Sequence, residues 1–422
     1  MQTDYDVIVV GGGPAGSSCA TFLGRKGIKT LLVDKASFPR DKTCGDGITG
    51  KSAGILEELG IEHEIAKNPH EKINGLITSS PSGASIDLNV DDGTLVKSLY
   101  VCKRQIFDNI LFQEAKKNAD VMENFTVNDL IIENGKVAGI KGADRDGDKE
   151  FRAKVVVGAD GANSIVARKL GLNDFQADRS LVSTRAYFEN VDARRDRIEF
   201  HFLEELLPGY FWIFPAGDNI SNVGVAVVAS DVPKRKLNLK TSLEDIVKNS
   251  RFAPRFKNAK QVSDIKGWNL PTGAQKRKRA GDGFLLVGDA ASLIDPFTGE
   301  GIGNALLSGK LASEIISVAL DKNDFSYDML KQYEVKIDER MEKEFETNYK
   351  FQKFGKNPLM FNALVEELSV DKGSMKIATS AFSDTTSAKT TFKIPLGLYA
   401  RVFIRYIRDY IRLKTKGKPK RL

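Results

Sequence analysis

The sequence predicts an α/β fold in which a nucleotide-binding domain, built from discontinuous segments, is interrupted by a second domain rich in antiparallel strands. Three apolar strands each run into a turn of small residues, at 7–16, 155–164 and 284–291. Between these elements, apolar and polar residues alternate as they do in antiparallel strands, notably near 73–100 and over 181–268. The last hundred residues favour helices, so a mainly helical C-terminal region completes the prediction.

The length of the chain supports more than one module. Its 422 residues exceed the ~250–300 at which a single hydrophobic core stops growing. Its hydrophobic and charged fractions, 41% and 28%, are ordinary for a soluble protein. We predict a nucleotide-binding domain at 1–73, 101–180 and 265–320, a substrate domain at 74–100 and 181–264, and a helical region at 321–422.

The first strand and turn carry the most informative motif. The strand leads into Gly11-x-Gly13-x-x-Gly16, whose glycines permit a tight turn, close approach to a pyrophosphate and close packing of helix on strand. The N–H groups that begin the next helix would hold the phosphates. A second strand ends at Asp34, whose carboxylate can accept both hydroxyls of an adenosine ribose. This order predicts dinucleotide binding, and an unliganded α/β turn is the alternative.

Two later elements extend the prediction to a flavin. Gly158-Ala159-Asp160-Gly161 follows the second apolar strand, and Gly288-Asp289 ends the third, where a carboxylate can accept a ribityl hydroxyl. The stretch Gly299-Glu300-Gly301-Ile302-Gly303 opens a helix whose N–H groups can stabilise the anionic edge of a reduced flavin. A dehydrogenase that binds NAD alone has no use for these later elements.

Together these elements resemble FAD-dependent oxidoreductases of the aromatic-hydroxylase type, and Arg104 with Asp108 also fits that type. Two further stretches resemble the geranylgeranyl reductase family: Tyr210-x-Trp212-x-Phe214-Pro215-x-Gly217, and the loop Cys44-Gly45-Asp46-Gly47-Ile48. The resemblance covers about residues 4–320. It implies FAD as the cofactor and, as the activity, saturation of the C=C bonds of geranylgeranyl chains in archaeal-type membrane glycerolipids.

The resemblance also implies the alternatives and the cofactor contacts. The alternatives are reduction of a geranylgeranylated chlorophyll precursor or a prenyl diphosphate, or the chemistry of an FAD-dependent monooxygenase or halogenase. The implied contacts with FAD are Gly11, Gly13, Ala15, Gly16, Asp34, Cys44, Gly45, Gly47, Arg104, Val127, Asp160, Gly161, Asp289, Gly301 and Ile302. Asp34 stands where Glu is commoner in the family, which should weaken the ribose contact little.

Tyr210, Trp212 and Phe214 are implied to form the substrate site. Alternation puts the three aromatic side chains on one face of a strand, as a broad apolar wall suited to a polyprenyl chain. Each ring can bury ~150–250 Å². The alternative is an ordinary core strand of the inserted domain.

Cys44 and Tyr210 are the candidate catalytic residues. Reduction of an isolated C=C bond needs a hydride and a proton, and the proton must arrive early because such an alkene cannot hold negative charge. Either side chain could donate or relay that proton. Cys44 could instead only position the flavin and the alkene, or be a small buried apolar residue.

Other chemistries find little support. His63, His70 and His201 have neither metal-like spacing nor a Ser/Asp partner motif, so we expect no metal site and no hydrolytic triad. His201 lies in an alternating strand and is interpreted as structural. Cys19 and Cys102 are interpreted as packing residues, and three cysteines are too few for a disulfide framework, which indicates a reducing, cytoplasmic environment.

The electrons must come from outside the chain. Apart from Gly11-x-Gly13-x-x-Gly16, no Gly-x-Gly-x-x-Gly in the sequence follows an apolar strand, as a nicotinamide-binding motif would. We therefore expect a transiently docked donor, either reduced nicotinamide or a small redox protein such as ferredoxin. The residues do not decide between them.

The C-terminal tail concentrates the positive charge of the chain. From Lys393 onward it has ten Lys or Arg and one acid, a charge of +9 against +7 for the whole chain. Its helical wheel places Tyr399, Val402, Phe403, Tyr406, Ile407, Tyr410 and Ile411 on one face, and Arg401, Arg405, Arg408 and Arg412 on another.

Two interpretations of this tail stay open. A basic amphipathic helix of this form can lie in an anionic membrane interface, or it can pack on the body of the protein. Nucleic-acid binding is a poorer interpretation because no recognition fold accompanies the charge. The sequence has no run of about 18 apolar residues and no room for a signal peptide before the first strand. We expect a cytoplasmic protein with peripheral contact at the inner face of the membrane.

Overall fold

The computed structural model describes residues 3–89, 99–370 and 396–416. Its strands are β1 (Tyr5–Val10), β2 (Thr30–Val33), β3 (Gly47–Ile48), β4 (Glu71–Ile73), β5 (Gly75–Ser79), β6 (Ser85–Asn89), β7 (Leu99–Val101), β8 (Asp120–Met122), β9 (Thr126–Glu133), β10 (Lys136–Asp144), β11 (Gly147–Gly158), β12 (Ser180–Glu189), β13 (Arg197–His201), β14 (Tyr210–Pro215), β15 (Ile220–Val228), β16 (Lys260–Gln261), β17 (Lys266–Pro271), β18 (Ala280–Gly281) and β19 (Phe284–Leu286). Its helices are α1 (Pro14–Gly24), α2 (Gly50–Leu59), α3 (Glu62–Ala66), α4 (Arg104–Lys116), α5 (Ile165–Lys169), α6 (Asp231–Arg235), α7 (Leu239–Asn249), α8 (Ile302–Lys322), α9 (Tyr327–Leu330), α10 (Gln332–Ile337), α11 (Lys343–Phe354), α12 (Pro358–Val370) and a C-terminal helix (Leu396–Lys416).

The first sheet holds the nucleotide-type elements. Its parallel strands run in the order β19-β11-β1-β2-β8. Val7 to Val10 of β1 are at most 4% exposed, as expected for a parallel sheet covered on both faces. The hairpin of β9 and β10 extends β11, and its turn has positive φ at Asn134 and Gly135, as Asn-Gly predicts.

One strand boundary differs from the sequence prediction. The sequence pattern predicts a strand over 121–127, but β8 ends at Met122 and β9 begins at Thr126. Asn124 lies between them with φ of +57°, a left-handed conformation that cannot continue a strand.

The second sheet has the order β16-β12-β15-β14-β13-β5-β6, with β17 paired to β12. Its central strands are buried on both faces. One face packs under α7, where Phe211 and Ile213 meet Leu243 in an apolar cluster. Tyr210, Trp212 and Phe214 lie on the other face, in a different cluster. Since β17 spans 266–271, this sheet continues past residue 264, where the predicted substrate domain ends.

The C-terminal helices lie over the second sheet. Helix α12 packs on β6 and on the C-terminal helix, through Phe361, Leu364 and Leu368 on one side and Leu398 and Val402 on the other. Helices α8, α9 and α10 instead pack on the first sheet. Across the described ranges, no helix is both long and apolar enough to traverse a bilayer.

Candidate functional site

A single cavity of about 1160 Å³ runs from the first glycine turn to the aromatic face of the second sheet. The cofactor end is lined by the three turns and by the loop around Cys44. The far end is lined by aromatic and aliphatic side chains of the second sheet and of α11, α12 and the C-terminal helix. Of the site residues predicted from the sequence, all but Gly16 line this cavity.

The glycines of the first turn are required by the space around them. Gly11 has φ of +106°, and an added Cβ would lie 2.5 Å from the carbonyl oxygen of Ala159. A Cβ on Gly16 would overlap the carbonyl oxygen of Gly11, so Gly16 serves the packing of α1 on the sheet. Beside Gly13 the nearest atom is Arg40 Nη2 at 3.6 Å, which leaves the open approach that a pyrophosphate needs. The cradle therefore fits a dinucleotide.

The carboxylate of Asp34 closes this turn from the side. Its Oδ2 accepts a hydrogen bond of 2.7 Å from the Gly12 N–H, and its Oδ1 accepts one of 2.8 Å from the Ala36 N–H. Each carboxylate oxygen has a further lone pair for a ribose hydroxyl. The residue is thus fixed in place without losing the capacity predicted for it.

Asp160, Asp289 and Arg104 line the middle of the cavity. Asp160 caps α5, since its carboxylate accepts hydrogen bonds from Ser164 Oγ and the Ile165 N–H. Burial raises the pKa of Asp160. Among the described residues, Asp289 pairs with Lys42, whose Nζ lies 3.5 Å from Oδ2. The Asp160 carboxylate is therefore engaged at the start of α5, whereas the Asp289 carboxylate keeps lone pairs available for a ligand.

Arg104 forms a buried bidentate pair with Asp108, with Nε and Nη2 at 2.6 and 2.7 Å from the two carboxylate oxygens. Arg40 reaches the same carboxylate at 2.7 Å. Although burial lowers the pKa of Arg104, the interactions with Asp108 and Cys44 raise it overall. Although burial raises the pKa of Asp108, its two arginines lower it overall, so this ion pair stays charged at the cofactor end of the cavity.

The Cys44 loop is tied to the aromatic face by Asn222, which sequence analysis did not identify. Asn222 Nδ2 donates to the Cys44 carbonyl oxygen and to Asp46 Oδ2, both at 2.7 Å. Its Oδ1 accepts a 2.9 Å hydrogen bond from Trp212 Nε1. Tyr187 Oη donates to the same Asp46 oxygen at 2.6 Å. Burial raises the pKa of Asp46.

The aromatic face is a continuous apolar surface. Phe200, also missed from the sequence, packs edge-on against Tyr210 and Phe214 with ring centroids 5.1 Å apart in both pairs. The Cys44 loop reaches this wall, since a Cβ on Gly45 would lie 3.2 Å from the Phe214 ring. Cofactor loop and apolar wall are thus in van der Waals range.

The Tyr210 hydroxyl donates to the carbonyl oxygen of Thr298, in the segment that leads into α8. Burial raises the pKa of Tyr210 above its ordinary value, so the phenol keeps its proton at neutral pH. Thr298 is itself held by Asp295 Oδ1, which accepts from its N–H and its hydroxyl. The loop that leads into α8, the helix predicted to face the flavin, therefore also positions Tyr210.

A polar floor lies under the start of α8. Glu300 Oε1 accepts from the Gly303 N–H at 2.7 Å, while its Oε2 is buried without a hydrogen-bond partner among the described residues. Lys51 Nζ contacts Glu344 at 2.5 Å and Asn304 at 3.4 Å. Burial raises the pKa of Glu300. The start of α8, at Gly301 and Ile302, thus lies beside these charged and polar side chains.

His201 has the Ser and carboxylate partners that the sequence did not reveal. Ser79 Oγ lies 2.8 Å from Nδ1, and Glu199 Oε2 lies 2.9 Å from Nε2. The three side chains are at most 5% exposed, and Arg255 already pairs with both oxygens of Glu199. They line no part of the cavity, so this triad is structural rather than hydrolytic.

The remaining cysteines and histidines lie outside the cavity lining. Cys19 and Cys102 are fully buried, and burial raises the pKa of each thiol to about 12. In the part of the chain that the structure describes, no three His, Cys, Asp or Glu side chains are arranged to hold a metal ion.

Comparison with known proteins identifies similar chains. A family model described as FAD binding domain matches residues 4–340. The chain is 34% identical to digeranylgeranylglycerophospholipid reductase of Thermoplasma acidophilum, over 83% of this chain and 87% of that protein. It is 31% identical to the protein of the same name from Methanoculleus marisnigri, over 98% of each.

Solved structures show the same fold. A geranylgeranyl bacteriochlorophyll reductase-like protein from Thermoplasma acidophilum superposes with a TM-score of 0.79 at 28% identity, over 97% of this chain and 98% of that chain. A flavin-dependent brominase superposes with a TM-score of 0.76 at 19% identity, over 97% and 99%. The brominase, at this identity, shares the fold alone.

Proposed function

The chain belongs to the geranylgeranyl reductase family of FAD-binding proteins, and on that premise we propose that it saturates the C=C bonds of geranylgeranyl chains in archaeal-type membrane glycerolipids. The observation that carries this proposal is the continuity of the cavity. It joins a dinucleotide cradle at Gly11 and Gly13 to an apolar wall at Tyr210, Trp212 and Phe214. A flavin ring and a prenyl chain can therefore meet inside one cavity.

The cofactor lies along the first sheet in this proposal. Gly11, Gly13 and Ala15 face the pyrophosphate, Asp34 the adenosine ribose, and Asp289 the ribityl chain. The Cys44 loop, Gly301 and Ile302 border the ring. The remaining proposed contacts are Gly45, Gly47, Arg104, Val127, Asp160 and Gly161, while Gly16 acts through the packing of α1.

When bound, FAD supplies the hydride. The chain has to supply a proton, exclude water and hold the alkene against the ring. Trp212 and Phe214 hold the prenyl chain in place, and the buried walls of the cavity exclude water. Cys44, in the cofactor loop, and Tyr210, in the apolar wall, are the proposed proton donors, and both line the cavity.

The membrane is the source of the substrate. The C-terminal helix exposes Phe403, Ile404 and Ile407 beside a row of arginines, as helices at an anionic interface do. We expect the protein to sediment with anionic liposomes in a salt-sensitive way. Truncation after Pro395 should abolish this sedimentation, because it removes the region that makes the peripheral contact. Equal sedimentation of the truncated protein would contradict it.

The electron donor is external, either ferredoxin or reduced nicotinamide. This proposal rests on the sequence, in which only the Gly-x-Gly-x-x-Gly at 11–16 follows an apolar strand, as a dinucleotide-binding motif does. Comparing the two donors in anaerobic flavin reduction would identify the one that is used.

Product mass tests the function itself. The protein, loaded with FAD and reduced with dithionite under argon, is incubated with digeranylgeranylglycerol phosphate in detergent. The expected products are heavier than the substrate in steps of two hydrogens. Unchanged lipid, or a hydroxylated product that needs dioxygen, would contradict the proposal and favour a monooxygenase.

A further inference from the structure

The far end of the cavity is closed by two helices that we call the roof: α12 (Pro358–Val370) and the C-terminal helix (Leu396–Lys416). Leu364 and Leu368 of α12 and Leu398 of the C-terminal helix line the same cavity as the aromatic wall. Leu398 is 2% exposed, and Val402 one turn later is 6% exposed. Among the described residues, these two helices therefore cover the substrate end of the cavity.

The roof also exposes large apolar side chains. Phe403 is 57% exposed, Ile404 66% and Ile407 38%, and Val370 at the end of α12 is 67% exposed. Large apolar side chains grouped on a surface mark a contact with a membrane or a partner. The sequence placed Val402 and Phe403 on one face, but the structure buries the first and exposes the second.

Ion pairs hold the two helices of the roof together. Glu367 accepts from Arg401 Nε at 2.5 Å and from Arg405 Nε at 2.6 Å. Glu366 lies 3.5 Å from Arg405 and 3.8 Å from Arg408. Three of the four arginines that the sequence predicts on one face of this helix, Arg401, Arg405 and Arg408, are thus paired with two carboxylates of α12. Although burial raises the pKa of Glu367, Arg405 and Arg401 lower it overall, so it stays ionised at neutral pH.

We propose that the roof is the membrane entrance of the cavity. On an anionic bilayer, lipid phosphates replace Glu366 and Glu367 as the partners of the three arginines. The exposed apolar side chains of the roof then insert into the interface. The C-terminal helix moves away from Leu364 and Leu368. A prenyl chain then passes from the bilayer into the cavity without crossing water. This inference rests on the proposed function.

The chemistry favours this exchange at an anionic surface. Guanidinium groups pair with phosphate in the same bidentate manner as with carboxylate. A bilayer offers many phosphates and also covers the exposed apolar side chains, which water does not. The alternative is a roof that stays closed, with the substrate arriving by another route.

The test separates opening of the roof from binding and from catalysis. The double variant Glu366→Gln/Glu367→Gln removes the two charges at constant shape, and Glu314→Gln, which breaks a surface pair with Lys336, is the matched control. Geranylgeranyl lipid is presented in detergent, in phosphatidylcholine vesicles and in vesicles containing phosphatidylglycerol. Rates are taken with dithionite as the reductant at saturating vesicle concentrations, and sedimentation measures binding separately.

We expect wild type and Glu314→Gln to be about tenfold faster on anionic than on neutral vesicles at saturation, within the usual range for coupled equilibria. The double variant should be fast on both. Ile404→Glu/Ile407→Glu, which changes exposed positions only, should lose turnover on vesicles and keep it in detergent.

Three outcomes would overturn the inference: equal wild-type rates on both vesicles, an unchanged lipid dependence in the double variant, or full vesicle turnover by Ile404→Glu/Ile407→Glu. Failure of the proposed function would look different, because wild type would then reduce no lipid in detergent either.

Discussion

The indole Nε1 of Trp212 donates a 2.9 Å hydrogen bond to Asn222 Oδ1, which couples the apolar wall to the cofactor loop. Through its Nδ2, Asn222 also holds the Cys44 carbonyl oxygen and the buried Asp46. The side chain thus sets the spacing between the part of the cavity assigned to the flavin and the part assigned to the alkene.

Asn222→Ala should impair both stability and chemistry. It leaves the buried Trp212 N–H without its partner and removes one of the two hydrogen bonds to Asp46 Oδ2, at a cost of about 1–3 kcal/mol. We expect a lower denaturation midpoint and a slower alkene reduction at an FAD content that is restored by excess cofactor. Asn249→Ala, at an exposed helix position, is the control. Wild-type rates in Asn222→Ala would show that the coupling has no role in turnover.

Cys44→Ala and Cys44→Ser separate proton transfer from positioning. If the thiol donates or relays the proton, both variants bind FAD and reduce geranylgeranyl lipid at least about a hundredfold more slowly, the lower end of the range for loss of an acid or base. Single-turnover rates measured with the flavin bound make the comparison. Unchanged rates in both variants would remove Cys44 from the mechanism and leave Tyr210.

Gly16→Ala should abolish FAD binding, because its Cβ would overlap the Gly11 carbonyl oxygen at the crossing of α1 and β1. Gly54→Ala is the matched control: it also lies in a helix, but no atom lies within 4 Å of its added Cβ. We expect Gly54→Ala to keep FAD and to gain a few tenths of a kcal/mol up to about 1 kcal/mol in stability. Normal flavin content in Gly16→Ala would contradict the geometry of the turn.

The buried triad of Ser79, His201 and Glu199 predicts a pH-dependent stability. Burial lowers the pKa of His201, so the unfolded chain binds its proton more readily and stability falls as the pH drops below about 6.5. Although burial raises the pKa of Glu199, the Arg255 and His201 partners lower it overall, which adds a further loss below about 4.3. Denaturant midpoints at a series of pH values measure both.

His201→Gln should flatten the first of these two losses, and His63→Gln, at an exposed position, should leave it unchanged. A pH profile that is the same in wild type and His201→Gln would show that the histidine does not titrate on unfolding.

The sequence could predict the cofactor end of the cavity because its determinants are local. A strand, three glycines and Asp34 lie within one βαβ unit, and their spacing alone dictates the turn. The same holds for Gly288-Asp289 and for the start of α8. The aromatic face followed from alternation at 210, 212 and 214 together with the family resemblance.

What the sequence could not predict depends on contacts between distant segments. Asn222 is one polar residue in an apolar strand; the pairing of β14 with β15 brings it to Trp212, and the packing of the cofactor loop brings it to Cys44. Ser79 reaches His201 through the parallel pairing of β5 with β13. Packing against α12 determines which face of the C-terminal helix is buried, and the periodicity of the sequence does not reveal that packing. Tyr399 and Arg412 lie in that helix, but their side chains are outside the described residues, as are Lys418, Lys420 and Arg421.

The central claim is that reduced flavin in this cavity passes its electrons to a geranylgeranyl C=C bond. Its most direct test is the absorbance of oxidised flavin after anaerobic mixing of the dithionite-titrated protein with geranylgeranyl lipid in detergent. Oxidised flavin should appear in step with the loss of double bonds, and more slowly in Trp212→Ala. A flavin that stays reduced in excess lipid, yet is oxidised at once by dioxygen, would contradict the claim.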